Sequence, residues 1–286
     1  MLGETPPTQY DLNFRCFGVP VRVSPFFWII GILLGWSISN PGHFIIWMGV
    51  FFVSILIHEM GHALMSRRYG FQPWVVLTSF GGVCCRNPYQ QPSGHTRERE
   101  MWISFAGPGI QLIFAALTII VYGLILTSLA GLPLTEVGYL ALFYLNKVLS
   151  FGDPGIAEAL ARGITAVFSQ YPMHLVQISH TETMLSASHS WFHYFSVVVY
   201  FLLQINIFWA ILNLMPILPL DGGHLSMHFC EKINPREGRR RAVFISATVA
   251  GCLAAFAAIR LGHLFIAIFF GYFCFQSIQM LMHEQY

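Results

Sequence analysis

Charged residues are scarce in this sequence: they make up 10% of its 286 positions, against about a quarter in soluble domains. Hydrophobic residues make up 55%, and the mean hydropathy is +0.60. A chain so poor in charge is not an ordinary soluble globule. It is not a nucleic-acid binder either, because its 15 basic residues are separated by apolar runs and leave a net charge of only +2. Cysteine is also sparse. Cys16, Cys84, Cys85, Cys230, Cys252 and Cys274 show neither C-x-x-C spacing nor a compact framework, and they read as ordinary thiols. The first 24 residues lack the short apolar core and small-residue cleavage site of a secretory signal, so nothing there is expected to be removed.

What the chain does have is long apolar runs. A helix needs about 20 largely apolar residues to cross the hydrocarbon layer, and six segments are candidates: residues 26–39, 43–65, 101–129, 192–215, 242–259 and 261–282. The last two are separated only by Arg260 and its neighbours and are expected to form a tight antiparallel pair. Between the second and third, Phe71 to Cys85 is rich in β-branched and aromatic residues and contains Gly81-Gly82, which reads as strand and turn. Residues 14–23 have the same character, and the two stretches are expected to pair as a small sheet at the membrane edge. Residues 130–190 suggest interfacial helices or a re-entrant segment. The fold class expected is an all-α polytopic membrane protein with about six spans and a small membrane-edge sheet, built as one domain with a core at 14–225 and a C-terminal helix pair at 242–282.

Basic residues orient the spans. With both termini on one face, that face receives Arg15, Arg22, Arg67, Arg68, Arg86, Arg97, Arg99, Lys232, Arg236, Arg239, Arg240 and Arg241. The other receives only Lys147, Arg162 and Arg260. Twelve against three predicts cytoplasmic termini, in a multi-pass protein of the cell (inner) membrane. The run Arg239-Arg240-Arg241 suits anionic lipid headgroups at the border of the fifth span.

Chemistry enters with His58-Glu59-Met60-Gly61-His62, an H-E-x-x-H pattern inside an apolar helix. Imidazoles at i and i+4 share one helical face and can grip a single metal, with the intervening Glu beside the open coordination position. Zinc held this way acidifies a water, and the carboxylate can take the proton. Two structural histidines and a structural glutamate are the bland alternative, but ionisable groups inside a membrane helix are costly and functional by default. A catalytic zinc takes three protein ligands. Apart from Glu59, the strong acidic candidate at the membrane is Asp221, in Leu220-Asp221-Gly222-Gly223, which the topology places in the same leaflet as His58 and His62. An Asp-Gly turn capping the next helix is the other way to read it. Ahead of it, Pro216 and Pro219 break the end of the fourth span, and broken backbone in a membrane is tolerated only around a cavity or within protein.

Together His58-Glu59-Met60-Gly61-His62 and Asn213-Leu-Met-Pro-Ile-Leu-Pro-Leu-Asp221-Gly-Gly resemble the site-2 protease family of zinc intramembrane proteases. Leu77-Thr-Ser-Phe-Gly81-Gly82-Val resembles that family's membrane-edge strand, Phe105-Ala-Gly107-Pro108-Gly-Ile-Gln111 its third-helix Gly-Pro motif, and Phe17-Gly-Val-Pro-Val-Arg-Val-Ser-Pro25 its entry strand. The resemblance runs over about residues 14–225 in the expected order. It implies His58, His62 and Asp221 as ligands of one zinc ion per chain, Glu59 as general base, and Asn213 holding the substrate or transition state beside the helix break at Pro216. Gly81 and Gly82 fall on the implied substrate-binding strand. The sequence departs from the pattern at Gln111, where the family usually has Asn. The chain resembles the compact six-span group without PDZ or CBS domains.

The implied activity is cleavage of a transmembrane segment of a membrane-protein substrate near the cytoplasmic leaflet, in regulated intramembrane proteolysis. Two rivals stand beside it: a membrane zincin of another family acting on interfacial peptides, and a metal-binding transporter that uses the same buried groups for ion passage. His224 and His228 are also four apart, but no His-His pair accompanies them, which counts against a desaturase-like diiron centre. His174, His180, His189 and His193 read as scattered loop histidines.

Overall fold

The computed structural model describes residues 6–79, 81–87, 89, 92, 96–130, 138–139, 142–143, 145–146, 183–261 and 264–283. Most of the stretch 130–190 therefore lies outside the described residues. The elements in chain order are β1 (Leu12–Cys16), β2 (Val19–Val23), α1 (Pro25–Leu34), α2 (Pro41–Arg68), β3 (Trp74–Thr78), β4 (Gly81–Cys85), α3 (Arg97–Ala130), α4 (Ser190–Asn213), α5 (Asp221–Ile233), α6 (Gly238–Phe256), a π-helical turn (Ala257–Leu261) and α7 (Leu264–His283). The fold is mainly helical with one small sheet, as the residue pattern predicts. Among the described residues, four helices are long and apolar enough to cross a membrane: Pro41–Arg68, Arg97–Leu129, Ser190–Asn213 and Gly238–Arg260. The first and sixth expected spans are shorter apolar helices, Pro25–Leu34 and Ile266–Met282. At about 1.5 Å per residue, the 10 residues of α1 reach about half way through a hydrocarbon core of about 30 Å.

The boundaries of α2 follow from its ends. Asn40 caps the helix, its Oδ1 accepting the His43 N–H at 3.1 Å, and Pro41 occupies the first helical position, where no N–H is needed. At the other end Gly70 takes φ 89°, its N–H donates to Arg67 O, and the Phe71 N–H donates to Ser66 O. This is the paired-bond Schellman stop, placed directly after Arg67 and Arg68, whose charge favours a helix C-terminus.

The chain divides into two compact units. One comprises Phe26–Leu56 and Gln111–Trp209. In it α1 packs on α2 through stacked Phe27 and Phe51 (centroids 5.1 Å) and through the Trp47 indole N–H, which donates to Gly31 O at 2.9 Å. Tyr122, Leu126, Phe192, Val199 and Leu203 form an apolar cluster between α3 and α4, and Tyr122 and Ser196 share a hydroxyl hydrogen bond of 2.9 Å. A buried polar node ties three helices together: Gln111 Nε2 donates to Ser54 O at 3.2 Å, and Asn206 Nδ2 donates to Ser54 Oγ at 2.9 Å. Gln111, the departure from the family pattern, thus has a hydrogen-bond partner. Gln111→Asn, one methylene shorter, is expected to lose that bond at a cost of about 1 kcal/mol while leaving bound zinc unchanged. Thermal unfolding in detergent with parallel metal analysis checks both.

The other unit comprises Met1–Pro25, Ile57–Ile110 and Ala210–Tyr286 and contains the sheet. Its strand order is β1-β2-β3-β4. The β1–β2 hairpin closes on Phe17 and Gly18, both with positive φ (47° and 78°), as a two-residue turn matching strand twist requires. The Arg67 guanidinium donates to the Phe17 carbonyl. β2 runs parallel to β3, with Val21 opposite Val75 and Val23 opposite Leu77. β3 and β4 form an antiparallel pair from Trp74–Cys85 to Thr78–Gly81. The two stretches expected to pair do so, and β4 forms one edge. In the same unit α6 and α7 pack antiparallel, with Ser246 Oγ 2.8 Å from Ser277 Oγ and Ala250 against Phe270 and Phe273.

Candidate metal centre

Ser54, His58, His62 and Ser66 recur every four residues of α2, and all four are buried. Inside the bilayer this face cannot turn to water, so its polar atoms need partners from the protein. His62 Nδ1 donates to the Ile103 carbonyl of α3 at 2.7 Å. That bond fixes the tautomer and turns the Nε2 lone pair inward, as an outer partner does for a metal-ligating imidazole.

The close approach of α3 depends on small residues. A β-carbon on Gly61 would overlap the Ala106 carbonyl, and one on Gly107 would overlap His62 Nε2. Pro108 follows within the helix and removes one rung of its hydrogen-bond ladder. The Gly-Pro motif of the third span is thereby a local device for bringing α3 against His62. Gly107→Ala should displace the imidazole and weaken zinc binding by at least the 10–100-fold, roughly, that loss of an outer partner costs. Metal titration of the purified protein checks this, and an unchanged affinity would count against it.

Asp221 is the first residue of α5, where the helix N-terminus favours a carboxylate. It arrives there because α4 ends at Asn213 and the chain turns irregularly through 214–220, with the Leu218–Pro219 peptide cis. The turn is held from α6: the Leu218 N–H donates to Ser246 Oγ at 2.8 Å. Gly222 and Gly223 then pack so closely on the 214–218 backbone that a β-carbon on either would overlap it.

The three ligand-bearing atoms converge. His58 Nε2 lies 3.1 Å from His62 Nε2, and Asp221 Oδ2 lies 3.1 Å from His58 Nε2 and 3.3 Å from His62 Nε2. These three residues form the one group of metal-ligating side chains found among the described residues. A tetrahedral zinc with bonds of about 2.0–2.1 Å separates its ligands by about 3.3 Å, so the triangle has the right edges. The donor set supports the same fit. Asp221 Oδ2 is buried and accepts no hydrogen bond, and it faces the His62 lone pair. Lone pairs gathered out of water in this way are stabilised by a cation.

Glu59 is 4% exposed and lies outside the triangle, against β4. Gly82 of β4 is the residue it touches, whereas Gly81 serves the turn, with φ 104°. Asn213 is buried at the last position of α4, and Pro216 is half-buried in the irregular turn. The structure therefore brings together His58, His62 and Asp221, with Glu59 and Gly82 in contact beside them. Sequence reasoning did not anticipate Ile103, Ser246 or the Glu59–Gly82 contact. Ile103 acts through its backbone and leaves no side-chain signal, whereas Ser246, a hydroxyl in an apolar run, was a readable hint. His224 lies on α5 near Asp221 and Glu100, where burial lowers its pKa and keeps the ring neutral. Burial likewise raises the Cys84 thiol, and no disulfide joins any of the six cysteines.

Comparisons with known proteins bear on the family of the chain. A family model described as Peptidase family M50 matches residues 46–257. Zinc metalloprotease MJ0392 of Methanocaldococcus jannaschii is 29% identical over 126 residues, 42% of this chain and 35% of the relative. The match thus spans about a third of that curated relative's length. A solved structure, the site-2 protease from Methanocaldococcus jannaschii, aligns over 95% of both chains with 17% identity and a TM-score of 0.46.

Proposed function

The chain belongs to peptidase family M50, a family of zinc metallopeptidases, and from that premise we propose that it is an intramembrane endopeptidase cutting a transmembrane segment of a protein substrate near the cytoplasmic leaflet. The observation that carries the reading is the convergence of His58 Nε2, His62 Nε2 and Asp221 Oδ2 beside Glu59, on and next to a helix apolar enough to span a bilayer. His58, His62 and Asp221 hold the zinc. When bound, zinc supplies a Lewis acid that polarises a carbonyl and brings the pKa of a water towards neutrality.

The remaining roles fall to the chain's own groups. Glu59 takes the proton from the attacking water and returns it to the leaving amine. Burial keeps bulk water from competing for the site and strengthens each charge within it. A helical substrate must unwind before its carbonyl is accessible, and β4, the edge strand that carries Gly81 and Gly82, receives the extended segment by strand addition. Asn213 offers an amide to the bound segment, next to the helix break at Pro216. The excess of basic residues, twelve against three, supports cytoplasmic termini, in a protein of the cell membrane whose whole chain works as one protease domain.

The test is reconstitution in liposomes with a panel of doubly labelled single-span reporter peptides. Expected is cleavage within the span that stops on zinc chelation and returns with zinc, with no metal flux across the vesicle wall. Metal flux without cleavage of any reporter would replace the protease reading with a transporter.

A further inference from the structure

Glu59 does not stand free beside the metal ligands; it rests on the edge strand. A β-carbon on Gly82 would overlap Glu59 Cγ and would lie 2.6 Å from its Cδ and Oε1. The Cys84 backbone N–H is directed at the same carboxylate. Strand geometry agrees. In an antiparallel pair, alternate residues turn N–H and C=O towards the partner and the residues between turn them away. Leu77 turns its carbonyl to the Ser24 N–H at 2.9 Å, on the β2 side, so Gly82, opposite Leu77, and Cys84, opposite Val75, are the residues of β4 turned away from β3.

We propose that β4 seats the catalytic base, with Gly82 giving the Glu59 side chain its space and the Cys84 N–H giving its carboxylate a donor. Gly82 and Cys84 are then positioning residues, in addition to any contact β4 makes with substrate. The inference rests on Glu59 being the general base. It also means that a substrate strand added to this edge meets the base on the same strand, so docking and proton transfer share one element.

Two experiments on the full-length protein test the seat. With the native cysteines replaced, Glu59→Cys combined with Gly82→Cys should form a disulfide on mild oxidation, since such a bond needs β-carbons about 3.5–4.5 Å apart. This readout needs no substrate. In the liposome assay, Gly82→Ala should lower kcat by about a hundredfold or more, the range of general-base catalysis, with KM and zinc content little changed. Glu59→Asp shortens the side chain that the new methyl displaces, so Gly82→Ala with Glu59→Asp should be no slower than Gly82→Ala alone. Losses that multiply, a Gly82→Ala effect confined to KM, or failure of the disulfide would overturn the seat. Full turnover by Glu59→Gln would instead overturn the base assignment, and the disulfide result would stand.

Discussion

Glu59→Gln is expected to abolish turnover of the reporter peptides while leaving zinc in place, with a loss of about 10²–10⁴-fold, the contribution typical of a positioned general base. The two halves of the expectation have separate physical grounds. Gln matches Glu in shape, so it can occupy the space over Gly82 and still accept the Cys84 N–H through its carbonyl oxygen. Its amide has no basic lone pair with which to take a proton from water. Zinc is retained because Glu59 is no part of the triangle of His58 Nε2, His62 Nε2 and Asp221 Oδ2. The measurement is turnover beside metal content on the same preparation. Near-native turnover would remove Glu59 from the mechanism, whereas joint loss of zinc and turnover would make it a metal ligand.

The parts of this site that were legible in sequence are those in which charge is expensive. His58, Glu59, His62 and Asp221 stand out because each would need a reason to sit in or beside an apolar helix. The strands were legible from β-branched residues and from Gly81-Gly82. Strand order was not, because the parallel pairing of β2 with β3 depends on the course of α1 and α2 between them. Helix length was only partly legible. Residues 26–39 are apolar enough to suggest a span, yet α1 stops at Leu34, where Gly35, Trp36 and Ser37 turn and Gly31 and Gly35 pack against Met48, Phe51 and Trp47. The meaning of the glycines was out of reach. Gly82 reads in sequence as strand, turn and substrate contact and Gly107 as part of a Gly-Pro motif, whereas in the structure a β-carbon on either would overlap Glu59 or His62. Gln111 shows the reverse: a deviation from a family pattern whose amide still has Ser54 O in reach.

Asp221→Ala carries the second large effect. In the proposed holo site the histidines would be neutral ligands, and the two positive charges of zinc would be balanced by the carboxylates of Asp221 and Glu59. In an apolar surrounding that neutrality matters, because an uncompensated buried charge costs several kcal/mol. Alanine at 221 removes a ligand and half of the compensating charge together. Zinc affinity should fall by more than the 10–100-fold, roughly, lost when only an outer partner goes. The loss has a second signature that requires no substrate. A ligand present at about a hundred times its dissociation constant stabilises the folded state by about 2.7 kcal/mol, so chelation should lower the unfolding temperature of the native protein and leave Asp221→Ala almost unmoved. Asp221→Asn, which keeps the shape and start of α5 but not the charge, should fall between the two. If Asp221→Ala keeps one zinc per chain and the full response to chelation, the third ligand lies elsewhere, and Asp221 does no more than begin α5.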